Sequence, residues 1–256
     1  MNPTILVILS LLITVPHWTS QSSRTTARLR GVSAVNNQVA WAGGSDSTVL
    51  RTEDGGATWN KLTVTSDKLD FRDIDAIDER TAYVLAIGNG EASRIYKTTD
   101  AGATWVLQFK NTEAKAFYDS MSFWDANHGI VIGDAIDEKF CILVTDDGGR
   151  NWNRVPAQSL PPALLNEGAF AASGTNIAVW GKSHAWIATG GAAKSRVLRT
   201  SDRGRTWKVA DAPVHAGSSA GIFSIDFRDA RHGVIVGGDY SKEGEAVENL
   251  AVTKDG

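Results

Sequence analysis

The sequence predicts an all-β fold, a β-propeller of four-stranded antiparallel blades, on three observations. A nine-residue phrase recurs: Arg51–Trp59 (RTEDGGATW), Lys97–Trp105 (KTTDAGATW), Val144–Trp152 (VTDDGGRNW) and Arg199–Trp207 (RTSDRGRTW), with a fifth copy opening at Val252–Gly256. Its aspartates, Asp54, Asp100, Asp147, Asp202 and Asp255, lie 46, 47, 55 and 53 residues apart, and self-similarity near that period marks solenoids, propellers or arrays. Between the copies run short β-branched and aromatic stretches broken by turn residues, with no sustained helical period.

Each phrase has the chemistry of a tight hairpin. The aspartate carboxylate can accept backbone N–H groups just downstream, and glycine supplies the positive φ of the turn. The tryptophans Trp59, Trp105, Trp152 and Trp207 open the following strand as apolar plates able to pack on a neighbouring unit. These aspartates read as turn residues, not catalysts.

The units align from Gly31 onward. The first is Val32–Val35, a turn at Asn36-Asn37, and Val39–Gly44 before its aspartate turn. The second pairs Ile74–Ile77 with Ala82–Ala86 across Asp78-Glu79-Arg80, and the third Met121–Trp124 with Ile130–Gly133 across 125–129. The fourth pairs Ile177–Trp180 with Ala185–Ala188, and the fifth Ile225–Phe227 with Val234–Gly238. Each unit therefore reads strand, turn, strand, loop, strand, aspartate turn, strand, which makes about five blades with the last incomplete. The longer fourth step comes from an irregular insertion, Pro156–Gly168, carrying Pro161-Pro162. Because the fifth phrase breaks off at Gly256, the chain is expected to be a C-terminally truncated fragment of a parent with six or seven blades.

A formal net charge of −3 and a pI near 6.0 give no general attraction to nucleic acid or anionic membranes, so no nucleic-acid partner is expected. The single cysteine, Cys141, lies in an apolar run and reads as a buried small residue. Residues 1–22 are set apart: Ile5–Val15 is apolar, uncharged and too short to span a bilayer, and small residues follow Pro16. This is the pattern of a signal peptide, leaving 23–256 as the propeller in a secreted or periplasmic compartment. The alternative is an uncleaved N-terminal membrane anchor, since no Lys or Arg precedes the apolar run.

Thr-x-Asp-x-Gly-x-Thr-Trp resembles the Asp-box, or BNR repeat, of sialidases and other β-propellers. The compact blades, the start at Gly31–Val35 and the run Phe123-Trp124-Asp125-x-x-x-Gly129 are similar to the photosystem II stability and assembly factor family over 30–256. That resemblance implies an exported, non-catalytic, protein-binding scaffold, monomeric and without cofactor. In photosynthetic members a basic patch meets a reaction-centre protein, and no shared arginine stripe is evident here.

The candidate binding residues lie where inner strands begin or second strands end, at one mouth of the ring: Arg30, Arg72, Asp73, Tyr118, Asp119, Glu167, Phe223, Asp239 and Tyr240. Their alternative reading is solvated loop ends and blade-edge caps. His128, His184 and His232 occupy equivalent turns, which disperses them around a rim, so no metal site is expected. The rival function is a sialidase-like exo-glycosidase, which needs three arginines converging on a carboxylate with a Tyr/Glu pair. Arg30, Arg72, Tyr118 and Glu167 are the residues available for it.

Overall fold

A computed structural model describes residues 17–171, 174–245 and 247–256. Most of the leader read into residues 1–22, up to residue 16, lies outside them. The first sheet is β1 (Leu29–Ala34), β2 (Ala40–Gly44), β3 (Thr48–Thr52) and β4 (Asn60–Thr63); the second is β5 (Asp70–Ala76), β6 (Ala82–Ile87), β7 (Arg94–Thr98) and β8 (Val106–Lys110). The third is β9 (Tyr118–Phe123), β10 (Gly129–Ile136), β11 (Lys139–Thr145) and β12 (Asn153–Arg154), and the fourth β13 (Ile177–Trp180), β14 (His184–Thr189), β15 (Arg196–Thr200) and β16 (Lys208–Asp211). The fifth holds β17 (Ala220–Phe227), β18 (Gly233–Asp239) and β19 (Leu250–Thr253). Every sheet is a meander in chain order, and first strands meet in sequence: β1 with β5, β5 with β9, β9 with β13, β13 with β17. That is the predicted propeller, with the first strand of each sheet innermost.

Period-two alternation explains the core, because both faces of the middle strands are apolar. Along β6, Val84 and Ala86 turn toward the first sheet, packing with Trp41, Val49 and Phe71, while Tyr83 and Leu85 turn toward the third, packing with Met121, Phe123 and Val131. Ile130 and Ile132 of β10 meet Ile187, Leu198 and Trp207 of the fourth sheet, and Trp186 meets Ile222, Ile225 and Phe227 of the fifth. Trp186 and Phe227 stack at 3.7 Å. Cys141 is buried among these side chains.

The aspartate corners are clasped as their chemistry demands. Thr98 Oγ1 and Thr104 N donate to Asp100 Oδ1 at 2.8 and 2.9 Å, and Thr104 Oγ1 donates to Oδ2 at 2.6 Å. Gly102 N donates to Thr98 Oγ1 at 2.9 Å. Asp54 and Asp202 make the same set, and Asp147 substitutes Asn151 Nδ2 at 2.7 Å for the threonine hydroxyl. These donors, the threonine hydroxyl first, hold Asp54 and Asp100 down to about 2, so the corners stay ionised. Asp255 begins the same clasp, accepting Thr253 Oγ1 at 2.9 Å.

Each corner then docks on the sheet before it. Trp105 meets Trp41 edge-on at 6.1 Å, while Tyr83 Oη and Lys97 Nζ donate to Gly148 O at 2.8 and 2.9 Å. Arg199 Nη1 donates to Gly256 O at 2.8 Å. Trp59 Nε1 instead donates to Gln21 Oε1 at 3.1 Å. Gly102, at φ 88°, lies so close to the first sheet that an added Cβ would strike Leu62 and crowd Trp41. Gly181, at φ 61°, faces open space. Gly102→Ala is therefore expected to cost about 2–4 kcal/mol, strain plus overpacking, and Gly181→Ala about 1 kcal/mol of strain alone. Denaturant unfolding of the two variants tests this, and equal losses would show that corner docking contributes nothing.

Candidate functional site

One register defect is repeated around the ring. In the first sheet Gly31 pairs with Gly43 and Leu29 with Gly44, which leaves Arg30 as an extra residue. The same step leaves Arg72 between Phe71 and Asp73, Asp119 between Tyr118 and Ser120, and Phe223 between Ile222 and Ser224. A bulge lets one side chain escape the strand's alternation. Four of the sequence-predicted residues are thus the bulged residues of four innermost strands.

The fourth sheet replaces the bulge with its insertion. Ala188 N donates to Asn176 O at 2.8 Å, and there the chain leaves the sheet. Asn176 Nδ2 reaches Phe170 O at 3.3 Å, and Ser120 Oγ donates to Asn176 Oδ1. Arg72 Nη1 donates to Ala171 O at 2.8 Å while its Nε holds Asp70 at 3.0 Å. The second and fourth sheets are not neighbours, so the Arg72 bond crosses the inside of the ring.

Glu167 anchors this segment. Its carboxylate accepts Arg196 Nε at 2.9 Å, Thr189 Oγ1 at 2.6 Å and Leu164 N at 2.7 Å, with Arg196 Nη2 close on Oε2. Arg196 Nη2 also donates to Pro162 O at 2.9 Å. Both side chains are buried, so Glu167 is part of the insertion's framework and is fully engaged. Nothing in the sequence joins positions 167 and 196, and Arg196 was not legible as a partner.

At the end of the ring where the interblade connections gather, three rings stand together. Phe170 meets Phe223 at 4.9 Å and Tyr240 at 6.1 Å, both edge-on. The floor is a seam of glycine backbone, in which Gly168 bridges Gly190 and Gly190 bridges Gly221. A Cβ on Gly190 or Gly221 would collide with the opposing backbone and with Phe170. Tyr240 is 58% exposed. Beside it Asp239 accepts Ser219 Oγ at 2.6 Å and Ser241 N at 2.9 Å.

A second set of acids faces the interior. Asp73 accepts Met121 N at 2.7 Å and Asp75 accepts Phe123 N at 2.9 Å, so β5 caps the inner edge of β9. Burial pushes Asp73 up to about 7 and Asp75 to about 6. Burial likewise raises Asp134 to about 6, and raises Asp119 well above its ordinary value with Asp134 adding repulsion. Asp119 Oδ2 has no hydrogen-bond partner.

Tyr118 corrects the expectation. It does not line the inner face, because the bulge gives that position to Asp119 and turns Tyr118 into the core. There it packs edge-on to Phe109 at 5.5 Å, 3% exposed, its hydroxyl pushed up to about 12 by burial. Arg30 is exposed at the bulge of the first sheet. His128 and His232 sit within their turns against Asp125 and Asp229, and His184 stacks on Trp186. Among the described residues no group of three or more His, Cys, Asp or Glu is arranged to hold a metal ion.

A family model described as Photosynthesis system II assembly factor YCF48 matches residues 13–116. The solved structure of YCF48 bound to D1 peptide superposes with a TM-score of 0.57 at 16% identity, over 90% of this chain and 68% of that one. The GH74 enzyme of Niastella koreensis gives 0.59 at 14% identity over 88% of this chain and 36% of its own. The GH74 xyloglucanase from Xanthomonas campestris gives 0.57 at 14% identity, over 85% and 37%. No curated protein matches the sequence significantly. At these identities the structural likeness is one of fold, and the chain resembles the assembly-factor β-propellers.

Two outcomes follow from this geometry. Arg196→Ala strands a buried carboxylate and is expected to lose about 3–5 kcal/mol in denaturant unfolding. A loss below 1 kcal/mol would mean that the clasp does not hold the insertion. Asp73, raised from 3.8 to about 7, stabilises fully below pH 3.8, and that contribution is lost as pH climbs through 7. Asp73→Asn should therefore flatten the fall in Tm between pH 4 and 8 and leave the variant more stable at pH 8, on the order of 2–4 kcal/mol. A less stable variant at pH 8 would contradict the assignment.

Proposed function

We propose that this chain is an exported, non-catalytic β-propeller that holds a protein or peptide segment at the aromatic mouth of its ring, as an assembly factor does. The observation that carries the reading is the cluster of Phe170, Phe223 and Tyr240 standing on the Gly168–Gly190–Gly221 seam. Tyr240 is exposed and the half-buried Phe170 and Phe223 stand beneath it on a close-packed backbone, so the cluster loses little freedom on contact, and aromatic residues dominate the energetics of protein interfaces. The family-model match to an assembly factor, and the likeness of fold to one bound to a peptide, point the same way.

The residues available to a glycosidase are engaged otherwise. Tyr118 is packed against Phe109, Glu167 is clasped by Arg196, and Arg72 is bonded to Asp70 and Ala171. Catalysis of sialidase type would need the tyrosine and the glutamate beside each other and open to a sugar.

Peptide-array binding by the purified chain tests the mouth. Phe223→Ala and Tyr240→Ala are each expected to weaken the best-bound peptides about tenfold, whereas unchanged binding would move the site elsewhere. Turnover of a fluorogenic sialoside would overturn the non-catalytic reading. Export is tested separately by fusing residues 1–40 to a reporter, and retention of that reporter in the cytoplasm would remove it.

A further inference from the structure

We propose that the mouth selects cationic segments, seating a lysine or arginine side chain over the Tyr240 ring with its charge against Asp239 Oδ2. The proposal rests on the reading that this mouth holds a peptide, and it adds the chemistry of the residue held.

Asp239 is built to remain an anion. Ser219 Oγ, Ser241 N and Ser241 Oγ all donate to its Oδ1, at 2.6, 2.9 and 2.7 Å. Those donors, Ser219 first, hold the carboxyl down to about 2. They leave Oδ2 without a bond, and among the described residues no lysine, arginine or histidine forms an ion pair with Asp239. Lys242, the nearest basic residue in sequence, is bridged to Glu245 at 3.6 Å. The loop that follows adds Glu243 and Glu248, both exposed, so the surroundings are acidic. An incoming carboxylate would meet repulsion from these acids, while Lys242, whose charge also helps keep Asp239 ionised, is itself offset by Glu245.

Tyr240 supplies the second half. The protein twice sets a cation over an aromatic ring, Arg51 over Trp41 at 4.9 Å and Lys97 over Tyr83 at 5.0 Å. Tyr240 is more exposed than either ring, and no cation of the described residues stands over it. An exposed ring next in the chain to a carboxylate with a free oxygen offers the two groups that attract ammonium and guanidinium ions. Phe170 meets the ring edge-on and is itself backed by Phe223.

The test uses the full chain and three labelled peptides of equal length and apolar content, carrying lysine/arginine, glutamine or glutamate, read by fluorescence anisotropy. The basic peptide is expected to bind at least about tenfold more tightly than the glutamate peptide and to weaken as salt rises. Asp239→Asn keeps an oxygen for Ser219 and Ser241, so the loop is retained. This variant should lose about tenfold for the basic peptide and leave the glutamine peptide unchanged. If the glutamate or glutamine peptide binds as tightly as the basic one, and Tyr240→Ala still weakens it, the cationic preference is overturned while the mouth stands. If Asp239→Asn leaves the basic peptide unaffected, the preference is again overturned. Binding of no peptide, or binding indifferent to both Tyr240→Ala and Phe223→Ala, defeats the underlying reading instead.

Discussion

The fold depends on one close approach: a glycine corner, held open by threonine and aspartate, pressed against the sheet that precedes it. Two successive residues of each corner take positive φ, as at Gly55-Gly56, Ala101-Gly102, Gly148-Gly149 and Arg203-Gly204. Ala101 and Arg203 tolerate this conformation at a cost of about 1–2 kcal/mol each, and the carboxylate clasp offsets it. At Gly102, Gly149 and Gly204 the second glycine has no such latitude, because the preceding sheet crowds the volume a Cβ would need, and at Gly56 Gln21 takes that place. Sheet-to-sheet spacing is thereby set at the rim, and the apolar layers between sheets fill in behind it.

At the inner edge the problem is different, since each first strand presents unpaired N–H groups to the interior. Carboxylates of the preceding strand answer it on β9, where Asp73 and Asp75 receive Met121 and Phe123. Ser33 Oγ receives Ala76 N in the same manner at 3.0 Å. Capping an edge with an acid saturates the backbone but buries a group that water would rather ionise. The inner wall therefore trades some stability at neutral and alkaline pH for a protected edge.

The parts legible in the sequence were those written locally. A threonine, an aspartate and a glycine within five residues define a turn by themselves, so the corners, their spacing and the five units could be read directly. Short β-branched and aromatic stretches broken by turn residues gave the strands, without saying which neighbouring sheet each face would meet. Position along the inner strand was harder. A single extra residue exchanges the two faces of a strand, and no composition signal distinguishes Tyr118, which packs on Phe109, from Asp119, which is buried as the bulged residue near Asp134. The partnership of Glu167 with Arg196 spans 29 positions and exists only because the insertion folds back over β15. Asp73 and Asp75, acids two apart in the strand DFRDIDA, share one face of β5 and so reach the edge of β9 together.

The repeated bulge has a consequence for how the inner wall of such a ring can vary. Arg30, Arg72, Asp119 and Phe223 share one structural address, yet they are two cations, an acid and an aromatic. Because the residue at that address belongs to no ladder rung, exchanging it removes no backbone pair, and only side-chain ties such as that of Arg72 to Ala171 are given up. The interior then behaves like a combination lock whose tumblers are cut separately from the casing, so that new combinations leave the backbone ladder that carries them intact.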